Sequence, residues 1–292
     1  MTRRTAISLL QAPLVGRGTT TTAFDPNFGS ALEAAAAINA RKISSVELTQ
    51  HVFDRIDKFQ PKLNAFVYQM REEALAGARR ADEAVARKDK PQPFAGVPVV
   101  VKESFGVAGR PCTWGIPALR NTRASANSAA VQRLLDAGAI VIGATNVPFE
   151  LMDGQSYNEI YGTTNNPWDV SRTPGGSSGG TAAALAAGLG FLGLGSDIGG
   201  SIRAPSHCCG IFGHKPTLDV VSLRGHAPGG VWDTPGFSTL LAVAGPMART
   251  AQDLESAMRV LGGPDAPDSA AYAWRLPAPR HKRLRDYRIG YL

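Results

Sequence analysis

The sequence predicts an α/β fold, in which strand-like and helix-like segments alternate along the chain. Two short apolar runs, 94–101 and 139–143, contain many β-branched residues and are typical of buried strands. Longer segments around them carry apolar residues at helical spacing. With 292 residues, 43% of them apolar, the chain is long enough to bury one large α/β core or two small ones.

The N-terminal part is predicted to hold an arm and two helices. Residues 1–27 are polar or turn-forming and lack periodicity, which predicts a poorly ordered arm. Ser44 or Ser45 can cap a helix that ends at Pro61. Its apolar face contains Leu48, Val52, Ile56 and Phe59. An Ala-rich second helix with charged faces is predicted over 71–88.

The strand at 94–101 delivers Lys102 at its end. A helix over 128–137 then leads into the strand at 139–143, which continues the α/β alternation.

The C-terminal part is predicted to add a helix over 250–261, which begins with a capping pair, Thr250 and Asp253. Residues 287–292 have the pattern of the first half of a further strand. We therefore expect the fold to be incomplete at the C-terminus. No linker is long enough to require a second domain, so residues 28–292 are predicted to form one domain.

The centre of the chain is rich in glycine and serine. It is predicted to form two tight loops, 175–180 and 199–201, separated by a helix over 181–189 and a strand over 191–195. Glycine lets backbone N–H groups crowd around one point, a geometry that suits an anion or a developing oxyanion.

Three interpretations of these loops are open. Phosphate binding would need a P-loop pattern, which the sequence lacks, and the G-x-G-x-x-G match at 188–193 follows a helix and enters a strand, the reverse of the dinucleotide fingerprint. A structural role, in which glycines let a helix pack closely on a sheet, is common for such a loop. Covalent catalysis by a loop serine is the third.

A catalytic serine needs a base. His207 and His214 stand near Ser201 without a G-x-S-x-G elbow, and a lone histidine is more often structural. The other histidines, on a helix or in or near loops, are His51, His226 and His281. Lys102 can act instead, because desolvation favours the neutral amine. The alternative is a strand-end lysine that reaches solvent.

Taken together, these segments resemble the amidase signature family. PGGSSGG, followed by GSDIGGSIR, CG and GHKPT, is similar to the family signature, and GVPVVVKES is similar to its upstream lysine segment. NNPWD at 165–169 and GPMAR at 245–249 fall where family members carry similar blocks. The resemblance covers residues 30–292, and separated blocks in order are far more specific than one glycine-rich match.

The resemblance implies a mixed, twisted central sheet flanked by helices, and a Ser-Ser-Lys triad. Lys102 would be the base, Ser177 the bridging hydroxyl on a cis peptide bond, and Ser201 the nucleophile. The oxyanion hole would be formed by the backbone N–H groups of Ile198, Gly199, Gly200 and Ser201. The loops would be supported by Ser178, Asp197 and Arg203. The substrate entrance would be lined by Met152, Asp153, Gly154 and Gln155.

The activity implied is hydrolysis of a carboxamide C–N bond through an acyl-enzyme. Two alternatives are the amidase subunit of a glutamine-dependent tRNA amidotransferase and an inactive, truncated remnant. Two departures from the family pattern bear on these. Glu103 follows Lys102 where many relatives have aspartate, and relatives continue well beyond residue 292, where they complete the sheet and the acyl pocket.

Charge and composition limit the kinds of partner that the chain is expected to bind. The net charge is +7, but Arg3 and Arg4 contribute two charges and residues 275–292 contribute five, which leaves residues 5–274 near neutral. This balance argues against nucleic-acid binding. The expected partners are a small-molecule amide and a second copy in a homodimer.

Cysteine usage and the N-terminus indicate the compartment. The three cysteines, which cannot form a disulfide framework and show no zinc spacing, are Cys112, Cys208 and Cys209. No metal or cofactor is expected. The pair Arg3 and Arg4 precedes a short apolar stretch that Gln11 and Pro13 interrupt, so a cytoplasmic location is expected rather than twin-arginine export. No segment is long and apolar enough to span a membrane.

Overall fold

The computed structural model describes residues 24–230, 241–265 and 268–288, together with residue 290. Within them the α-helices are α1 Ala31–Asn39, α2 Ser45–Leu63, α3 Arg71–Arg87, α4 Ala129–Asp136, α5 Gly179–Ala186, α6 Arg203–Cys209 and α7 Ala251–Leu261. The strands are β1 Phe66–Gln69, β2 Pro98–Lys102, β3 Ile140–Thr145, β4 Tyr157–Asn158, β5 Gly162–Thr163, β6 Leu192–Asp197, β7 Phe212–Gly213 and β8 Val243–Ala248.

In the described part of the chain, the main sheet has six strands in the order β1-β3-β2-β6-β8-β7. The central strand β2 is parallel to both β3 and β6. The outer pairings, β1 with β3, β6 with β8 and β8 with β7, are antiparallel. The predicted α/β fold with a mixed central sheet is therefore confirmed. β4 and β5 form a separate two-stranded sheet.

The two central strands carry the core and position the site. Every residue of β2 and β6 is buried, as expected for parallel strands covered on both faces. The register pairs Val99 with Leu192 and Val101 with Leu194. Because parallel strands end at the same edge of a sheet, Lys102 and Ser196 meet there.

Small residues bring α5 close to the sheet. This helix reads GGTAAALA and packs against β2 and β6. A Cβ atom at Gly193 would lie 2.5 Å from Cγ2 of Thr181, and one at Gly180 would lie 2.4 Å from the backbone nitrogen of Asn146. The close helix packing that the structural interpretation predicted is thus present beside the serine loops.

The start of α2 agrees with the sequence and its end does not. Ser44 caps the helix and forms a capping box with Glu47. The prediction that Pro61 ends the helix is wrong, because Pro61 lies inside its last turn. Proline removes a single helical hydrogen bond there, while buried Leu63 holds the turn against the core. Asn64, in the left-handed region at φ 47°, ends the helix.

Asp253 takes part in the predicted capping pair of α7 and also binds the start of α1. Thr250 Oγ1 accepts the Asp253 N–H at 3.2 Å, as a cap should. The Asp253 carboxylate, however, accepts the N–H groups of Ala31 and Leu32, both at 3.0 Å. It therefore caps α1, where the helix dipole favours a negative charge, and it links α1 to α7.

The predicted arm and C-terminal strand lie partly outside the described residues. This applies to residues 1–23 of the arm, whereas Phe24 packs against Phe191 with ring centroids 6.0 Å apart. Of the predicted strand at 287–292, Tyr287 and Arg288 lie in no strand, and 289, 291 and 292 are outside the described part. No helix in the described ranges is long and apolar enough to cross a membrane.

Candidate active site

Lys102 lies at the end of β2 with its side chain fully buried. Its Nζ is 2.6 Å from Oγ of Ser177 and 2.9 Å from Oγ of Ser196. Burial lowers the pKa of Lys102 to about 7, although the carboxylate of Asp197 opposes part of that shift. The lysine does not reach solvent, so the alternative of a strand-end lysine exposed to water is wrong.

The loop before α5 holds Ser177 against this lysine. The Gly176–Ser177 peptide bond is cis. A Cβ atom at Gly176 would lie 2.1 Å from the carbonyl oxygen of Asp153, so this position has room only for glycine. The packing of Gly176 on Asp153 fixes the path of the chain into Ser177.

Ser178 connects the two serine loops. Its N–H donates to the carbonyl oxygen of Ser201 at 3.1 Å, and its hydroxyl donates to the carbonyl oxygen of Ser196 at 3.3 Å. Ser201 therefore lies beside Ser177. Within the described residues no hydrogen bond joins the hydroxyls of Ser177 and Ser201.

Asp197 organises the loop that carries Ser201. Its buried carboxylate accepts two bonds from the Arg203 guanidinium, at 2.9 and 3.1 Å. It also accepts the N–H groups of Gly200 at 2.9 Å, Ile202 at 3.0 Å and Arg203 at 3.3 Å. Burial alone would raise the pKa of Asp197, but these donors outweigh it and lower the pKa to about 2. The carboxylate is thus ionised and holds the loop from inside.

The Asp197 network reduces the number of backbone N–H groups that are free to bind a substrate oxygen. The Gly200 N–H is occupied by Asp197, so in this structure it is not free to bind a substrate oxygen. The N–H groups of Ile198, Gly199 and Ser201 have no acceptor among the described residues. Three of the four predicted donors are therefore available at the mouth of the site.

A cavity of about 610 Å³ opens over Ser177 and Ser201. It is lined by Trp114, Glu150, Leu151, Met152, Asp153, Gly154, Gly176, Ser177, Ser196, Ile198, Gly199, Gly200, Ser201, Ala204, Leu223, His226 and Ala242. Most of these contribute apolar or backbone surface, and a pocket of this size suits a small organic molecule.

Three of the four residues predicted to line a substrate entrance lie at this cavity. Met152, which is 81% exposed, lines the cavity together with Asp153 and Gly154. Gln155 does not line it, because its Nε2 donates to the carbonyl oxygen of Thr164 at 2.9 Å. The amide of Gln155 thus secures the loop and is turned away from the cavity.

Two further polar side chains contact this site and were missed in the sequence. Ser196 lies within hydrogen-bond distance of Lys102, and its position three residues before Gly199 gave the only signal. His226 is buried beside Ser104, with Nε2 3.0 Å from the Ser104 hydroxyl. Burial, together with the nearby Lys102, lowers the pKa of His226 to about 3, so its ring is neutral.

The fold and the site together define a class: a mixed α/β protein in which a buried lysine meets two serine-bearing loops at the carboxyl edge of the sheet. The Amidase family model matches residues 47–292. The chain belongs to this family, the amidase signature enzymes.

Curated relatives include a glutamyl-tRNA(Gln) amidotransferase subunit of Carboxydothermus hydrogenoformans, 41% identical over 242 residues, which are 83% of this chain and 48% of the relative. Another is fatty-acid amide hydrolase 2-A of Danio rerio, 39% identical over 244 residues, 81% of this chain and 45% of the relative. The chain spans about half the length of the curated relatives it matches.

Solved structures give the same family. A bacterial aryl acylamidase of the amidase signature family superposes with a TM-score of 0.77 at 30% identity, over 86% of this chain and 51% of that chain. The relatives thus include hydrolases of different amides and a component of a tRNA amidotransferase.

Proposed function

We propose that the chain is a hydrolase that cleaves a carboxamide C–N bond through Lys102, Ser177 and Ser201. The contact between fully buried Lys102 and the Ser177 hydroxyl, at 2.6 Å, carries the proposal. With a pKa of about 7, a large share of the Lys102 amine is unprotonated at neutral pH and can accept a proton.

In the acylation step, Ser201 Oγ attacks the amide carbonyl carbon. The Ser201 proton passes to Ser177 as the Ser177 proton passes to the amine of Lys102, which becomes an ammonium. This step requires the Ser201 hydroxyl to come within hydrogen-bond reach of Ser177, which the short backbone link from Ser178 to Ser201 allows.

The negative oxygen of the tetrahedral intermediate is bound by the free N–H groups of Ile198, Gly199 and Ser201. Gly200 has a different role in this proposal, since its N–H anchors the loop to Asp197. Asp197, Arg203 and Ser178 support the loop and do not touch the reacting atoms.

Collapse of this intermediate breaks the C–N bond. The ammonium of Lys102 returns its proton through Ser177 to the leaving amine, which departs, and Ser201 is left as an ester. A water molecule then attacks the ester carbonyl and gives its proton to the same relay, which releases the acid and restores the Ser201 hydroxyl.

The test is hydrolysis of a simple aryl amide by the parent chain and by Ser201→Ala. We expect Ser201→Ala to lose about 1,000-fold or more of the activity. Ser171→Ala, at an exposed serine bonded to Asp169, is the control and should retain full activity. Equal rates in the parent and Ser201→Ala would overturn the assignment. A folded chain with neither turnover nor fluorophosphonate labelling would favour the inactive-remnant hypothesis.

A second candidate function is favoured by the 41% identity to the tRNA amidotransferase component. In that case the site would release ammonia from glutamine within a complex. Glutaminase activity that depends on Ser201 and a stable partner protein are the expected observations. A purified chain that hydrolyses aryl amides and is indifferent to glutamine would exclude this candidate.

A further inference from the structure

Glu103 is the buried residue next to Lys102 that the proposed reaction leaves unused. It follows β2 and its side chain is fully buried. Among the described residues its carboxylate accepts hydrogen bonds from neutral donors only. These are the Thr113 N–H at 2.6 Å, the Thr113 hydroxyl at 2.7 Å, the Trp114 N–H at 2.9 Å and the Tyr161 hydroxyl at 3.3 Å. Burying a carboxylate costs free energy unless its oxygens accept hydrogen bonds, and these four bonds meet that need. Glu103 and its donors therefore form an anchor for residues 113 and 114.

The anchor fixes a strained turn. Trp114 lies in the left-handed region at φ 54°, which a bulky residue adopts only when its surroundings enforce it. Glu103 enforces this conformation by binding the consecutive N–H groups of Thr113 and Trp114 with its two carboxylate oxygens. The Trp114 carbonyl in turn accepts the N–H of Glu150, another residue of the cavity wall.

The turn places an indole in the cavity wall. Trp114 Nε1 donates to the carbonyl oxygen of Ser104 at 3.0 Å, and its ring lies 4.9 Å from that of His226. The ring of His226 packs on that of Phe105, with the ring centroids 4.5 Å apart, and it also lines the cavity. Because the pKa of His226 is about 3, the imidazole is uncharged and, with the indole, forms an aromatic face.

We propose that Glu103 is a positioning residue that fixes Trp114 beside His226, and that this aromatic face binds a planar, apolar group of the amide substrate. The inference rests on the proposed function, since it assigns the cavity to the substrate of Ser201. Its content is separate: it concerns which amides bind, whereas the triad concerns how they are cleaved.

The test measures binding without turnover, in the Ser201→Ala background. Benzamide and cyclohexanecarboxamide are the probes, because they match in connectivity and differ in planarity. We expect benzamide to bind about fivefold more tightly, the range of one aromatic contact. Glu103→Gln keeps the shape of the side chain but replaces one carboxylate oxygen, which now accepts hydrogen bonds, with an amide nitrogen that cannot accept them. This variant should reduce the preference for benzamide to below about twofold.

Three further variants keep the proposal falsifiable. Glu103→Asp retains the charge one methylene shorter and should restore part of the preference. Glu83→Gln, at an exposed glutamate of α3, should leave the preference unchanged. Should Glu103→Gln fail to fold, Trp114→Leu decides, since it removes the indole and leaves Glu103 in place.

The outcomes are distinct. A parent without preference, a preference that survives Trp114→Leu, or a Glu103→Gln variant that weakens both probes equally would overturn the proposal. Binding is measured without hydrolysis. A chain that prefers benzamide but shows no Ser201-dependent turnover would therefore contradict only the proposed function. A chain that hydrolyses amides but does not prefer benzamide in binding would contradict only this inference.

Discussion

Nζ of Lys102 lies 2.6 Å from Oγ of Ser177, and neither side chain is open to bulk water. A lysine in such a place is a base only if its amine is neutral. Burial lowers its pKa to about 7, whereas an ordinary lysine titrates at 10.5. The proposed chemistry follows from this placement.

The pH dependence of hydrolysis should report this lysine. Because the neutral amine is the active form, kcat/KM should rise with pH through an apparent pKa of about 7 and level off above it. Lys102→Met should lose about 1,000-fold or more of kcat/KM on the plateau above about pH 8, and the rise through about pH 7 should be absent from its profile. A rate that is flat between pH 5 and pH 9 would exclude Lys102 as the base.

The stability of the fold should depend on the same group. The folded state disfavours the ammonium of Lys102, so between about pH 7 and pH 10.5 the unfolded chain holds one proton more than the folded chain. The free energy of unfolding should therefore rise over this window in the parent, relative to Lys102→Met. Urea denaturation at several pH values measures it, and parallel curves for both proteins would contradict the assigned shift.

Asp197→Asn should affect both the loop and the base. The neutral amide cannot accept all five donors of the carboxylate, so we expect a loss of about 2–4 kcal/mol of stability. The Asp197 charge raises the pKa of Lys102, so its removal should move the acid limb of the pH profile to lower pH. An upward shift would contradict the account.

Acid unfolding gives a second test of Asp197. Its folded pKa of about 2 lies below its ordinary value of 3.8. The stabilisation is therefore fully present above pH 3.8 and is lost as the pH falls toward 2. Parent and Asp197→Asn should converge in stability over that window, as acid titration followed by circular dichroism would show.

Gly176 and Gly199, two of the glycines that line the cavity, offer a matched pair of substitutions. Gly176→Ala would place Cβ 2.1 Å from the Asp153 carbonyl oxygen and so displace Ser177, with an expected loss of about 100-fold in kcat/KM. Gly199→Ala meets no atom of the described residues within 4 Å and keeps its N–H, so it should remain within a few-fold of the parent. Equal losses in the two variants would show that the close approach at Gly176 is unimportant.

Ser196→Ala tests the second contact of Lys102. The Ser196 hydroxyl, 2.9 Å from Nζ, orients the amine toward Ser177. Its removal should lower kcat by about 10-fold to 100-fold, as loss of a supporting hydrogen bond does elsewhere, with little change in KM. An unchanged kcat would remove Ser196 from the site.

Local patterns predicted much of this architecture. The β-branched run before Lys102 and the caps at Ser44 and Thr250 depend on nearby residues, and the structure contains all three features. The end of α2 was missed because tertiary packing of Leu63 carries the helix past Pro61.

Long-range contacts lay beyond the sequence. Nothing near Asp253 indicates that its carboxylate caps a helix 221 residues away. Asp197 was predicted to support the loop, but the local pattern does not show that its carboxylate binds the Gly200 N–H three residues further on. His226 could not be assigned to the cavity, since its neighbours there come from around residues 104 and 114. The motifs predicted residues that the structure brings together around Lys102, but they did not predict which backbone donors there are free.

The most direct test of the account is the rate of fluorophosphonate labelling as a function of pH, read by intact mass and peptide mapping. We predict one label per chain, on Ser201, at a rate that rises through a pKa of about 7 and falls about 1,000-fold or more in Lys102→Met. A label on another residue, or a rate on Ser201 that is independent of both pH and Lys102, would contradict it.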